Sequence, residues 1–171
     1  MKLRKLVFLA IMISASIVLS IVESMISVAV FIIPGVKLGL ANIVTLIILY
    51  IYSEKDALTV VMIRVFLVGL MYTSFTPPFW MSLSGGVLAI ISMIVAKRFI
   101  KMSIIGVSVA GALFHMIGQI LMAMVVLNTE TLIFYLPWMM LISVPTGIFT
   151  GVVANKMQNM LHHQWSHTED E

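Results

Sequence analysis

The sequence predicts an all-α integral membrane protein of six transmembrane helices, with the N- and C-termini cytoplasmic. Of its 171 residues, 61% are hydrophobic and only 10% charged, whereas a soluble domain has an apolar share of about 45–50%. Several apolar runs approach or exceed the roughly 20 residues that a helix needs to cross a hydrocarbon core about 30 Å thick. None shows the period-two alternation of a membrane barrel strand.

The chain opens on the basic stretch Met1-Lys-Leu-Arg-Lys5, and the apolar run after it continues past the roughly 7–15 residues of a signal-peptide core. That run predicts a first helix over 5–33, stopped by Pro34-Gly35. A short second helix follows over 38–52, partly shielded by protein. Ser53-Glu-Lys-Asp56 reads as a polar turn whose Ser53 or Asp56 caps a third helix over 57–74. Thr76-Pro77-Pro78 breaks the chain again, with Phe79-Trp80 suited to a membrane interface, before a fourth helix over 80–99. Lys97, Arg98 and Lys101 mark its end; a fifth helix runs over 103–127 and Asn128-Thr129-Glu130 makes the next turn. The sixth, over 131–159, carries Pro137 near its start and Pro145 as a kink. Residues 1–160 thus form one membrane domain, and 161–171 a polar tail that frays.

Basic residues set the orientation. With the N-terminus inside, Lys2, Arg4, Lys5, Lys55, Lys97, Arg98, Lys101 and Lys156 fall on the cytoplasmic side and Lys37 alone on the other. The Pro34–Asn42, Thr76–Pro78 and Asn128–Glu130 breaks then share the outer face of the cytoplasmic (inner) membrane. A net charge of +3 concentrated at helix ends fits anchoring to anionic lipid rather than nucleic-acid binding. There is no cysteine, hence no disulfide, thiolate metal site or cysteine nucleophile. Three histidines in the tail read as solvated rather than metal-binding.

Ionisable residues within membrane helices cost about 2.5–3.5 kcal/mol on insertion scales and need a partner or a purpose. Glu23 and Arg64 each lie ten residues before the outer end of their predicted helices, about 15 Å deep, so an ion pair is geometrically reasonable. Two readings stand: a structural bridge between helices one and three, or the floor of a polar pocket with Arg64 open to an anionic group. Ser20, Glu23, Ser24 and Ser27 share a face of helix one. On helix five, His115 and Gln119 lie one turn apart beside Gly111 and Gly118. Asn42 and Lys37 complete a set converging on the outer half of the bundle, Lys37 either meeting an anionic ligand or snorkelling.

Gly147/Gly151, Gly106/Ala110 and Ala10/Ser14 have the spacing of close helix contacts. The first two are expected inside the bundle. Ala10 and Ser14, off the Glu23 stripe, are free to face a partner protein. No paired acidic clusters, phosphate-cradling loop or nucleophile elbow occurs, so no catalytic activity of its own is expected. Ser84-Gly85-Gly86 fits close packing or backbone approach to a ligand.

The run Gly35-Val-Lys-Leu-Gly-Leu-Ala-Asn-Ile43, with the basic N-terminus, Ser84-Gly85-Gly86 and the six-helix length, resembles the bacterial heptaprenyl diphosphate synthase component I or Gx transporter family over most of residues 5–158. That family is similar to the substrate-binding S components of energy-coupling factor (ECF) transporters. The resemblance implies capture of a vitamin-like or flavin- or isoprenoid-related molecule from outside, and partnership with an ECF T component and its ATPase subunits. It implies a gate at Pro34, Gly35 and Gly39, and docking through Ala10 and Ser14, where serine replaces the second alanine of the usual pattern. Two alternatives come with it: a role in flavin- or quinone-linked extracellular electron transfer, with a bound flavin or quinone, and a non-catalytic part in polyprenyl diphosphate metabolism.

Overall fold

A computed structural model describes residues 2–30 and 37–167. Six α-helices account for nearly all of it: α1 (Lys2–Val30), α2 (Asn42–Ile51), α3 (Glu54–Val68), α4 (Pro77–Arg98), α5 (Ile104–Leu127) and α6 (Leu136–His167). A π-helical turn, Gly69–Thr73, extends α3, and a 3-10 turn, Glu130–Tyr135, precedes α6. No strand occurs among the described residues.

The caps explain where helices begin. Ser53 accepts from the Asp56 N–H at 3.2 Å, so α3 starts at Glu54, earlier than the expected 57. Pro77 and Pro78 occupy the first turn of α4, where the missing N–H costs nothing, so they begin the helix rather than separate two. Ser103 caps α5 through the Gly106 N–H at 3.2 Å, and Asn128 ends it in the left-handed conformation with φ 49°. Helix α6 continues to His167, beyond the expected end at 159, since no glycine or proline interrupts it after Gly151. Residues 168–171 of the expected tail lie outside the described residues.

Five helical segments are long and apolar enough to cross a membrane, making this a multi-pass membrane protein. The exception is α2, whose 10 residues reach only about 15 Å at 1.5 Å per residue. Its expected start at 38 moves to 42 because Gly39, at φ 88°, turns the chain, and Asn42 and Ile43 begin the helix by donating to the Gly39 and Leu40 carbonyls. This short helix is the centre of the bundle. Val44, Leu46, Ile47, Ile48 and Leu49 are all buried, and α2 touches each of the other five helices. Residues 37–41 bring irregular backbone into a protein-covered interior, which is where a membrane protein tolerates it.

Ion pairs tie one end of the bundle. Lys5 meets Asp56 at 2.8 Å, Arg98 meets Glu54 at 3.6 Å, and Lys97 Nζ donates to the Leu49 carbonyl at 2.6 Å. The start of α1 and α3 and the end of α2 and α4 therefore lie together. The most extensive packing joins α4, α5 and α6. A Cβ on Gly147 would stand 2.8 Å from Val109 Cα and one on Gly151 2.8 Å from Ile105 Cα, so this expected pair does bring α6 against α5. The nearest atoms to a Cβ on Gly106 belong instead to Met102 and Ser103 of its own chain, so no close helix crossing explains that glycine. Helix α1 is peripheral: only 17% of its span is buried, against 50% for α4.

Candidate functional site

Five helices and the irregular chain before α2 enclose a small polar chamber at the N-terminal end of α2. Helix α1 supplies Ser20 and Glu23, the irregular chain Lys37 and Gly39, and α2 its first residue, Asn42. Helix α3 adds Arg64 with Val65 and Val68, and its π-helical turn adds Thr73. Helix α4 contributes Phe79 and Ser82, and α5 contributes His115. Because α2 is about 15 Å long from the Lys97-bound end, the chamber lies near mid-depth of the bundle. Its volume is about 20 Å³, room for about one water molecule; any organic ligand needs the walls to part.

Glu23 does not pair with Arg64 in this structure, contrary to the ion pair considered from sequence. Its Oε1 accepts instead from the backbone N–H of Gly39 and from that of Leu40, the latter at 3.0 Å. Glu23 and Arg64 both line the chamber without pairing, and Glu23 satisfies backbone that no helix partner serves.

Gln119, fully buried on α5, plays the matching part on the other side. Its Oε1 accepts from the Lys37 backbone N–H at 3.1 Å, which leaves its Nε2 to donate to His115 Nε2 at 3.1 Å. His115 Nε2 is then an acceptor and the proton sits on Nδ1. That Nδ1–H, beside Gly85, makes no hydrogen bond of normal geometry. Arg64 Nη1, Asn42 Nδ2 and Thr73 Oγ1 are likewise buried without a partner. Orphan buried donors are rare in folded proteins and mark a place that something else completes.

Glycines let the walls close this far. A Cβ on Gly85 would meet Gln119 Cγ at 2.8 Å and the His115 carbonyl oxygen at 2.9 Å, and one on Gly118 would meet the Ser84 carbonyl oxygen at 2.8 Å. Ser84 Oγ donates to the Gly118 carbonyl at 2.9 Å, so the Ser84-Gly85-Gly86 run joins α4 closely to α5. On the other side of α4, a Cβ on Gly86 would press on Val61 Cγ1 of α3 at 3.2 Å and stand in ordinary contact, 3.7 Å, with Arg64 Nη2.

Glu23, Lys37, Gly39, Asn42, Arg64 and His115 therefore meet in one place, with Gln119 behind them. Pro34 and Gly35 of the expected gate lie outside the described residues, as does the side chain of Ser27. Ala10 and Ser14 are exposed on α1, Ser14 Oγ donating to its own Ala10 carbonyl at 3.0 Å. Sequence reasoning missed Val65, Val68, Thr73, Phe79 and Ser82 as lining residues. Phe79, expected at a membrane interface beside Trp80, is 6% exposed and faces the chamber, whereas Trp80 is 44% exposed. Thr73 carried no readable signal, because the π-turn that sets its direction follows from tertiary packing; Phe79 follows from recognising Pro77-Pro78 as a helix start.

The family described as heptaprenyl diphosphate synthase component I matches residues 12–157, most of the chain and every chamber-lining residue. No curated protein and no solved structure matches.

Proposed function

The chain belongs to the heptaprenyl diphosphate synthase component I family, and we propose that it is a non-catalytic, ligand-binding membrane subunit of the S-component kind. It captures a small vitamin-like or flavin- or isoprenoid-related molecule from the outer side of the cytoplasmic membrane. It passes that molecule on through an ECF T component and its ATPase subunits. One observation carries this reading: buried, unpartnered polar groups of Asn42, Arg64 and Thr73 surround an interior chamber where the chain is not helical. Broken helical segments with substrate near mid-membrane are a recurrent design of transporters. Ala10 and Ser14, small and exposed on the loosely covered α1, supply the docking surface in this reading.

The test is co-purification. Expressed with the host's T component and ATPases and extracted in mild detergent, the protein forms a complex, and native mass spectrometry finds a small molecule retained by it. Failure to form the complex, together with failure to bind any of a vitamin and flavin panel, defeats the transport reading.

The word "component" in the family's description favours a second reading, in which the chain serves a polyprenyl diphosphate synthase as a membrane partner. Loss of long-chain polyprenyl diphosphate on deletion, with no change in uptake, selects it. A captured flavin or quinone and lost extracellular reduction on deletion would instead place the chain in electron transfer.

A further inference from the structure

The polar groups of the chamber are one-sided. Arg64 and Lys37 are 4% and 5% exposed, and neither forms an ion pair among the described residues. Glu23 is the carboxyl group among the described lining residues, and its Oε1 is already engaged by two backbone N–H groups. With Glu23 ionised, two positive charges face one negative charge in a buried space. Arg64 Nη1 and the Asn42 amide nitrogen, both donors, have no acceptor. One water molecule can meet a donor but cannot balance the charge, and a buried charge without a counter-charge is costly.

We propose that the chamber is an oxyanion site, in which Arg64, Lys37 and Asn42 hold a carboxylate or phosphate group of the ligand. The proposal rests on the ligand-binding reading above and names the chemical class of that ligand. Arg64 presents a planar fork of N–H donors matched to two oxygens, Lys37 adds a second positive charge and Asn42 a neutral donor. Val65, Val68 and Phe79 form the apolar wall for the organic part of the molecule. The guanidinium lies against α4 at Gly86, its Nη2 3.7 Å from where a Cβ there would stand, and among the described residues no carboxylate pairs with it.

Full-length protein in mild non-ionic detergent is titrated with sodium phosphate, sodium acetate or sodium chloride at matched ionic strength while thermal unfolding is followed. A saturable rise in melting temperature with phosphate or acetate, absent with chloride, is expected, and the responding ion distinguishes phosphate from carboxylate. In Arg64→Lys and Lys37→Gln the same rise requires at least about tenfold more ion, the loss expected for a buried hydrogen bond to a charged group. Asn42→Asp, nearly isosteric, puts a carboxylate at the site and abolishes the response; it carries the test if the Arg64 variant does not fold. A phospholipid in the native mass spectrum that leaves on adding phosphate identifies a lipid headgroup as the oxyanion, and a phosphate response without one identifies a soluble ligand. An Asn42→Asp protein that responds as the parent does overturns the proposal. A captured neutral molecule with no response to either ion also overturns it, while the ligand-binding role stands. No ion response and no captured molecule overturns both.

Discussion

Glu23 and Gln119 hold the same kind of partner from opposite sides of the chamber, since each accepts from the backbone of residues 37–40. Glu23→Gln keeps an acceptor oxygen there and is expected to fold with little loss. Glu23→Ala strands two buried N–H groups and is expected to lose about 1–3 kcal/mol for each. Thermal unfolding of the two variants in detergent separates the cases, and equal damage from both would return Glu23 to a role in charge pairing. Lys37, outside the helical spans, is held by burial well below the usual lysine range, to about 8, with Glu23 opposing and Arg64 adding to the shift. A lysine whose folded value is lowered is charged in the fold only at a cost. That cost is felt below pH about 8 and relieved as pH rises from about 8 toward 10.5. The acetate response should therefore weaken above pH about 8, and Lys37→Gln should remove that pH dependence. Lys37, Asn42, Arg64 and His115 stood out in the sequence because polar residues are rare in such a chain. Their partners did not, since a hydrogen bond across 82 positions, such as Lys37 to Gln119, has no local signature.

At the scale of elements, glycine spacing decides how closely helices approach. Gly118→Ala places a methyl against the Ser84 carbonyl oxygen and Gly85 Cα, both backbone, so α4 or α5 must move. The expected cost is about 1–3 kcal/mol of overpacking. Gly106→Ala meets the Met102 methyl, which can swing aside, and Met102 Cβ at 3.2 Å, which needs a shift of a few tenths of an ångström, and is expected to cost less than Gly118→Ala. Comparing their melting temperatures checks the pair. The small-residue motif was legible as a spacing, yet Gly147/Gly151 crosses another helix and Gly106/Ala110 shows no such crossing at its glycine. Periodicity names a helix face and leaves open what the face meets. Helix boundaries near Pro34–Asn42 and Thr76–Pro78 were legible as breaks. Their positions shifted because Gly39 turns the chain before α2 and Pro77-Pro78 start α4.

For the whole molecule, the absence of native cysteine makes single-cysteine labelling unambiguous. Ion pairs and the Lys97 bond gather the 52–54 and 99–103 connections at one end, and α5 carries Asn128 to the other. In intact cells an impermeant thiol reagent is expected to label Asn128→Cys and to spare Ser53→Cys and Lys101→Cys until the cells are opened. Labelling of all three alike would refute the orientation. Ala10→Cys, exposed on α1, should react in detergent and be shielded within a complex if that face docks a partner.

Composition alone determined that this chain lives in a membrane as an α-helical bundle, because lipid offers no hydrogen bonds and so many apolar residues have no other solvent. The distribution of lysine and arginine predicted its orientation, and rarity marked the polar residues worth watching. Only the tertiary structure decided that the short α2 stands at the centre of the bundle, that Glu23 and Arg64 line one chamber without pairing, and that Phe79 faces inward. Those outcomes depend on how far each helix slides along its neighbours. Side-chain pairing and glycine contacts between distant segments set that sliding, and hydropathy does not record it.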